Sequence, residues 1–457
     1  MGGNKGGLLL FWEVKFGILC RNELLIHEGL VIMKFFDFLK SRHLVDTCTC
    51  DEAKMAELLE TPQTVYVGFD PTASCLQAGN YVAIQTLAQF QRAGHKVIAL
   101  VGGATGMIGD PSGRSTERNF LSVEELQRNV EGIKENLSRF LDFNHPTNPA
   151  ILLNNYDWYK DYSVLPFLRE VGTLFRMKPM LAKDSVQKRL NAETNSMTFT
   201  EFTYQILQGY DFYYLNKHYG CTMQVGGADQ WGNITAGTDL IHRLNPGSEA
   251  HGLTIPLVCD ANGQKFGKSA GNAIFLNADK TSVYAFYQFF LRTLDADAIR
   301  YLRIFTFLDD ARIAELEQSL AEHPELREPQ RVLAEELTRA VHGEAGLEAA
   351  KKASAVLFGG SLEGLSASDL EGIAADVPSA TLAAGAIVGI PVMDVVTVCG
   401  FVKSKSEARR LIQGGGLSVN NIKVTDLNAT IAAEQLIDGK VLLLRQGKKN
   451  YFLLRAE

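Results

Sequence analysis

The order of apolar and polar positions divides the chain into regimes. Thr64–Gly68 and His95–Gly102 are short β-rich runs, each followed by glycine or turn residues and then by a helical pattern. Strand, glycine loop, helix, repeated, predicts a parallel sheet with crossover helices, and such sheets bind ligands in loops at the carboxyl ends of their strands. From about Thr281 to Lys352 the pattern becomes almost unbroken helix, with Ile313, Leu316 and Leu320 at three-to-four spacing. Gly359–Pro391 is richer in Ala, Ser and Gly and reads as a linker. Val392–Glu457 mixes one helix with short strands, LSVNN from Leu417 and a longer run from Lys440.

A helix-like pattern opens at Met33 with Phe35, Phe36, Phe38 and Leu39. Ahead of it, Met1–Ile32 begins glycine-rich. Its apolar run Leu8–Trp12 stops at Glu13, short of the roughly 7–15 residues of a signal-peptide core. This segment is expected to be an extension outside the fold, from a start codon assigned too early, and dispensable. The uncharged stretch nearest to spanning length, Val377–Met393, contains Pro378, Gly385, Gly389 and Pro391. It falls short of about 18–20 apolar residues, so no membrane segment is expected.

Composition narrows the class. At about 150 residues per domain, 457 residues imply roughly three domains. With 46% hydrophobic and 21% charged residues the chain is globular, not disordered. Seven scattered cysteines, with no pair of CxxC units, argue against structural zinc and fit a reducing compartment. The net charge of −7 excludes a polycation, yet it is uneven: Thr381–Glu457 holds ten Lys and Arg against six acids, +4, leaving −11 elsewhere. A basic end on an acidic body suits a nucleic-acid-binding appendage; a surface basic by chance is the alternative.

Five clusters carry candidate chemistry. In the first, Tyr66-Val-Gly-Phe-Asp-Pro-Thr72 then Gln77-Ala-Gly-Asn80, a strand runs into a turn and a helix starts near Gly79. Amides at such a start attract anions, and Gly79 lets a nucleotide base approach the backbone. An ordinary connection has the same outline. The second runs from Gly102 to Arg114 with five glycines in thirteen positions, and matches neither the dinucleotide fingerprint nor a Walker loop. It reads as backbone wrapped closely around a ligand, against the alternative of a flexible surface loop. Asp110 is suited to an ammonium, Arg114 and Arg118 to phosphates. The third, Tyr204, Gln208 and Asp211, shares one helix face among Phe202, Ile206, Leu207 and Phe212, as a pocket wall or a plain polar face does. The fourth, Gln224-Val-Gly-Gly-Ala-Asp229-Gln230-Trp-Gly-Asn233, offers Asp229 to a ribose diol, or is a glycine turn with a surface acid. The fifth, Lys265-Phe-Gly-Lys268-Ser269, clamps polyphosphate or is a basic turn.

In this order, and with NNYDW (Asn154–Trp158), FTEFTYQILQGYDF (Phe199–Phe212) and RRLIQGGGLSVNN in the tail, the clusters resemble the bacterial tyrosyl-tRNA synthetase family over nearly all of Met33–Glu457. The resemblance implies an α/β fold: a Rossmann-type parallel-sheet catalytic domain of class I at 33–280, including the KFGKS loop. A helical, anticodon-side domain follows at 281–355, a linker at 356–390, and a small α+β RNA-binding domain at 391–457, with 1–32 outside. It also implies a cytoplasmic homodimer whose partners are tyrosine, ATP with Mg2+, and tRNA(Tyr), with no membrane and no structural zinc.

Carried over by position, the resemblance gives Tyr66 and Asp211 to the substrate phenol, and Asp110, Tyr204 and Gln208 to its ammonium. Thr105, Asn155 and Gln230 line that pocket. Gly68, Asp70, Gly79, Asn80, Gly227 and Asp229 meet ATP, and Thr72, Gln77, Arg114, Arg118, Lys265 and Lys268 surround the phosphates. Lys403, Lys405, Arg409, Arg410, Lys448 and Lys449 are the tRNA candidates. The class signature His-x-Gly-His reads Gln77-Ala-Gly-Asn80 here, so Gln77 can donate a hydrogen bond to phosphate but carries no charge. KFGKS keeps both lysines of KMSKS. The implied activity is activation of tyrosine by ATP and transfer to tRNA. The alternative is a catalytically impaired paralogue that binds RNA; intact Lys265, Lys268, Asp211 and Asp229 argue against it. Tryptophan specificity is disfavoured because Asp211 opposite Tyr66 suits a phenol rather than an indole N–H.

Overall fold

The computed structural model describes residues 33–112, 121–191, 197–269, 272–360, 362, 365–371, 377–447 and 450–457. The chain divides into two units, one running to Ala273 and taking in Ile299–Ala314, the other comprising Ile274–Ala298 and Glu315–Glu457.

The first unit is built on a six-stranded sheet of β1 (Thr47–Cys48), β2 (Thr64–Phe69), β3 (Lys96–Val101), β4 (Ile151–Asn154), β5 (Met223–Gly227) and β6 (His251–Ile255). Their order is β1-β6-β5-β2-β3-β4, with β1 antiparallel to β6 and the other five parallel. From β2 the chain adds β3 and β4 on one side, then returns to add β5 and β6 on the other. The winding therefore reverses between β2 and β5, and the carboxyl ends of these strands frame a crevice of the kind that binds ligands in open α/β sheets. Val65, Tyr66, Val67 and Val97–Val101 are all buried, as central parallel strands covered on both faces must be. Helix α1 (Ala78–Arg92) joins β2 to β3, and α2 (Val123–Ser138) lies between β3 and β4.

The longest helix here is α3 (Phe199–Tyr219). It opens on a reciprocal cap, in which the Thr198 hydroxyl accepts from Glu201 N–H at 3.2 Å and the Glu201 carboxylate from Thr198 N–H at 3.1 Å. The same carboxylate holds buried Arg189 at 3.0 Å, and Gly220 ends the helix at φ 64°. α3 packs on α4 (Trp231–Leu244), which joins β5 to β6. A Cβ on Gly237 would lie 2.8 Å from the Phe212 ring, so the two helices approach only because that position is glycine. A short hairpin, β7 (Lys268–Ser269) and β8 (Asn272–Ala273), follows β6.

In the second unit α5 (Val283–Leu291) packs along α6 (Glu328–Leu357), a thirty-residue run interrupted at Gly343, whose φ 75° and ψ 178° are not helical. The C-terminal sheet contains β9 (Ser379–Leu382), β10 (Leu417–Val419), β11 (Ile422–Lys423), β12 (Val441–Gln446) and β13 (Asn450–Ala456), ordered β11-β10-β12-β13-β9. Alternation along β12 serves two cores. Leu442 and Leu444 face α7 (Val392–Val398) and α8 (Lys405–Gln413), while Val441 and Leu443 pack with Ala353 and Val356 of α6. Two expectations change. The tail has two helices, not one, because Gly400 at φ 79° ends the first and Ser404 caps the second. Within the stretch read as a linker, Ser379–Leu382 is a strand that pairs in parallel with β13. None of the described helices is long and apolar enough to cross a membrane.

Candidate active site

The crevice at the winding reversal collects most of the residues singled out in the sequence. β2 carries Tyr66 into the core at 1% exposure, leaves Gly68 exposed and ends at Phe69, and the turn behind it presents Asp70. The Asp70 carboxylate accepts from the Thr105 hydroxyl at 2.8 Å and the Tyr204 hydroxyl at 2.7 Å. This close packing accounts for part of the glycine-rich loop. A Cβ on Gly102 would lie 2.0 Å from Asp70 Oδ1, on Gly103 2.2 Å from Asn154 Oδ1, and on Gly106 3.0 Å from Pro71. The reading of these glycines as backbone wrapped around a ligand is therefore corrected at three positions, where the close neighbour is the protein itself.

The face Tyr204–Gln208–Asp211 lies on α3, one turn apart at each step, with Tyr204 and Asp211 buried. Asp211 Oδ1 accepts from Trp158 Nε1 at 2.9 Å and Oδ2 from Asn155 Nδ2 at 3.0 Å. Burial pushes this carboxyl up to about 7, against Asn155, Trp158 and Tyr159, whose hydrogen bonding holds it down. Asn155 also donates to the Thr105 hydroxyl at 3.0 Å, and its amide oxygen accepts from Ala104 N–H at 2.7 Å. A continuous network thus runs Tyr204–Asp70–Thr105–Asn155–Asp211. Beside it the Tyr66 hydroxyl is buried with no hydrogen-bond partner, and burial and the Asp211 charge drive its ionisation well above the ordinary range. Gln208 Oε1 and Gln224 Oε1 are also buried and unpaired.

A second carboxylate stands at the same end of the sheet. Asp110 accepts from Gln230 Nε2 at 2.6 Å and from Ser112 N–H at 2.9 Å, and Asn233 backs Gln230 at 3.2 Å. After β5, burial and the neighbouring Asp110 raise the Asp229 carboxyl, while Lys265 pulls it down. Thr72, Gly79, Asn80 and Lys265 are exposed, and Gln77 is half-buried at the cap of α1. Asn80 Oδ1 accepts from Gln77 N–H at 3.0 Å, which gives Asn80 a place in starting the helix. Arg114, Arg118, Lys448 and Lys449 lie outside the described residues, as does the side chain of Lys268. In the tail, Lys403, Lys405, Arg409 and Arg410 are exposed on and just before α8, with Lys405 paired to Asp394 at 2.6 Å.

Two residues at the site were missed in the sequence. Trp158 stands at the end of the NNYDW motif, which was the available signal, and its indole N–H donates to Asp211. Gln224 faces Tyr66 across the β2–β5 register, which only the pairing reveals.

Comparison with known proteins gives a consistent picture. The family model described as tRNA synthetases class I (W and Y) matches residues 58–359, and that of the Tyrosine--tRNA ligase SYY-like C-terminal domain matches residues 369–454. The tyrosine--tRNA ligase of Protochlamydia amoebophila is 50% identical over 420 residues, 92% of this chain and 98% of its own. That of Desulfitobacterium hafniense is 46% identical over 425 residues, 93% and 100% respectively. Among solved structures, a C-terminally truncated Aspergillus nidulans mitochondrial tyrosyl-tRNA synthetase superposes with a TM-score of 0.64 at 30% identity, covering 71% of this chain and 94% of that one.

Proposed function

The chain belongs to the tyrosine--tRNA ligase family, and from that premise we propose how its residues share the reaction. It is an enzyme that activates tyrosine with ATP and passes it to tRNA(Tyr). The Tyr66 hydroxyl and Asp211 read the substrate phenol. Asp110, Tyr204 and Gln208 hold the ammonium, and Thr105, Asn155 and Gln230 shape the pocket. The observation that carries this reading is the pairing of a buried, unpartnered Tyr66 hydroxyl with a buried carboxylate close enough to feel it. Both are groups that a phenolic O–H satisfies and a bare ring does not. Tyrosyl-tRNA synthetases as a class are the standard example of such discrimination, about 10⁵-fold against phenylalanine.

ATP enters as its magnesium complex. Gly68, Asp70, Gly79, Asn80, Gly227 and Asp229 receive the nucleoside, and Thr72, Gln77, Arg114, Arg118, Lys265 and Lys268 receive the phosphates. The tyrosine carboxylate attacks the α-phosphorus in line, a P–O bond to pyrophosphate breaks, and the adenylate forms. No side chain forms a covalent bond. The protein acts by positioning and by balancing charge on the phosphate oxygens. The acyl group then moves to the terminal adenosine of tRNA, which the tail engages through Lys403, Lys405, Arg409, Arg410, Lys448 and Lys449.

The working form is a cytoplasmic homodimer. Strongly exposed apolar side chains on the first unit, Val164 at 72%, Leu165 at 78% and Phe199 at 76%, support a covered surface. The six described cysteines are all free, in keeping with a reducing compartment. The decisive experiment is exchange of labelled pyrophosphate into ATP by the purified protein. Exchange that depends on tyrosine and not on tryptophan or phenylalanine is expected; its absence would leave the RNA-binding alternative.

A further inference from the structure

The loop that bears the two lysines is moored by a residue without charge. Phe266 follows Lys265. Its ring stacks on Phe305 at 4.5 Å and 23° and meets Tyr301 edge-on at 4.9 Å and 71°. Phe305 is buried and stacks in turn on Tyr81 at 6.2 Å and 29°. Tyr81 lies in the first turns of α1, directly after Asn80, and packs edge-on against Phe140 at 5.3 Å. A line of rings thus links the lysine loop to the Gln77–Asn80 helix start.

The backbone reinforces the rings. Phe266 N–H donates to Val258 O at 2.9 Å, and Cys259 O accepts from the Tyr301 hydroxyl at 3.2 Å and from the Arg300 guanidinium. A Cβ on Gly267 would lie 2.7 Å from Gly79 N, and one on Gly79 3.3 Å from Phe266 O. The two segments meet backbone to backbone, with no side chain between them.

We propose that Phe266 is a positioning residue for the activation step: its ring, stacked on Phe305 and Tyr301, fixes where Lys265 and Lys268 stand relative to the start of α1. This rests on the reading of the two lysines as a phosphate clamp. A lysine carries its charge on a long flexible stem, so the backbone beneath it decides how much of the charge is delivered where the leaving pyrophosphate gathers it. The tyrosine pocket is assembled from β2, α3 and the segments that follow β3, β4 and β5, none of them the lysine loop, so loosening that loop leaves amino-acid binding alone.

The test is tyrosine-dependent pyrophosphate exchange by the full chain. Phe266→Leu keeps apolar bulk and removes the ring; it should lower kcat by about ten- to hundredfold, the scale of a displaced catalytic group, with the tyrosine KM unchanged. Phe266→Tyr keeps the ring and should restore the rate. Phe305→Leu should repeat the pattern, and the double variant should lose less than the product of the two, since both break one contact. A normal kcat in Phe266→Leu overturns the proposal. So does a Tyr variant no better than Leu, or a tyrosine KM that rises in step with a falling melting temperature. Lys265→Ala separates the mooring from the reading beneath it. Normal exchange in that variant refutes the clamp itself, whereas loss there with normal exchange in Phe266→Leu refutes only the mooring.

Discussion

Asp211 is 2% exposed and holds two N–H donors, yet burial pushes its carboxyl up to about 7, so its desolvation is incompletely offset by its partners. A substrate phenol supplies a further donor. Asp211→Ala should therefore reduce kcat/KM for tyrosine by about 10- to 100-fold, the worth of one charge-assisted hydrogen bond, and change phenylalanine use far less. Exchange kinetics with both amino acids decide it; equal losses would show that Asp211 does not read the phenol. His95 gives the pH dependence. Its ring accepts from Gln63 N–H at 3.0 Å, lies among Phe35 and Phe90, and is pushed down by burial to about 4. The unfolded chain takes up a proton near 6.5 that the folded chain refuses until about 4, so the stability from neutral His95 is lost as pH falls through that window. The loss is at most on the order of 3 kcal/mol. Denaturant unfolding at pH 7.5 and pH 5 should show a smaller drop for His95→Gln than for the native chain, and parallel drops would rule the effect out.

At the scale of elements, the contact between α3 and α4 depends on one missing methyl. Gly237→Ala drives a carbon into the Phe212 ring, which packs on Tyr66 at 5.3 Å. It should cost about 1–3 kcal/mol of stability and raise the tyrosine KM, measured by thermal unfolding and exchange kinetics. The elements differ in how plainly their sequences announce them. β2 and β3 are continuous apolar runs because both faces are covered, and the α3 face repeats at helical spacing, so Tyr204, Gln208 and Asp211 could be placed together before any fold was known. β9 could not be read: SATL is short and weakly apolar, and its partner β13 comes late in the chain. The glycines of the second motif were visible, but not what crowds them, because Asp70 and Asn154 reach them across the sheet. The roles of Trp158 and Gln224 escaped for the same reason: each lies in a visible motif, but what it meets is set by a neighbour elsewhere in the fold.

At the scale of the molecule, the basic tail is joined to the helical part of its unit by more than chain continuity. The Asn421 amide donates to Val356 O at 3.0 Å and to Gly360 O at 2.9 Å, and Ala353 and Val356 share a core with Leu443 and Leu453. Cutting the chain after Val388 strands β9 and uncovers the end of α6, so truncation mixes lost RNA contact with lost packing. Charge reversal is cleaner. Arg409→Glu with Arg410→Glu changes exposed side chains only. It should leave pyrophosphate exchange intact, weaken charging, and flatten the fall of tRNA affinity with rising salt by roughly one unit of slope per phosphate contact removed. Charging at the native level would mean that these arginines meet no RNA.

The order of the six-stranded sheet also sets a schedule for synthesis. β3 emerges soon after β2 and covers one edge of it, but β5, which covers the other, follows only about 150 residues later. At roughly 5–20 residues per second the ribosome takes about 8–30 seconds to deliver it. Through that interval Val65, Tyr66, Val67 and Phe69 lie on an open strand edge, the kind of surface that recruits other chains. The nascent protein therefore cannot complete its amino-acid pocket until Gln230 has left the exit tunnel, and a strand at the centre of the finished enzyme is an open edge that a chaperone can shield while the protein is being made.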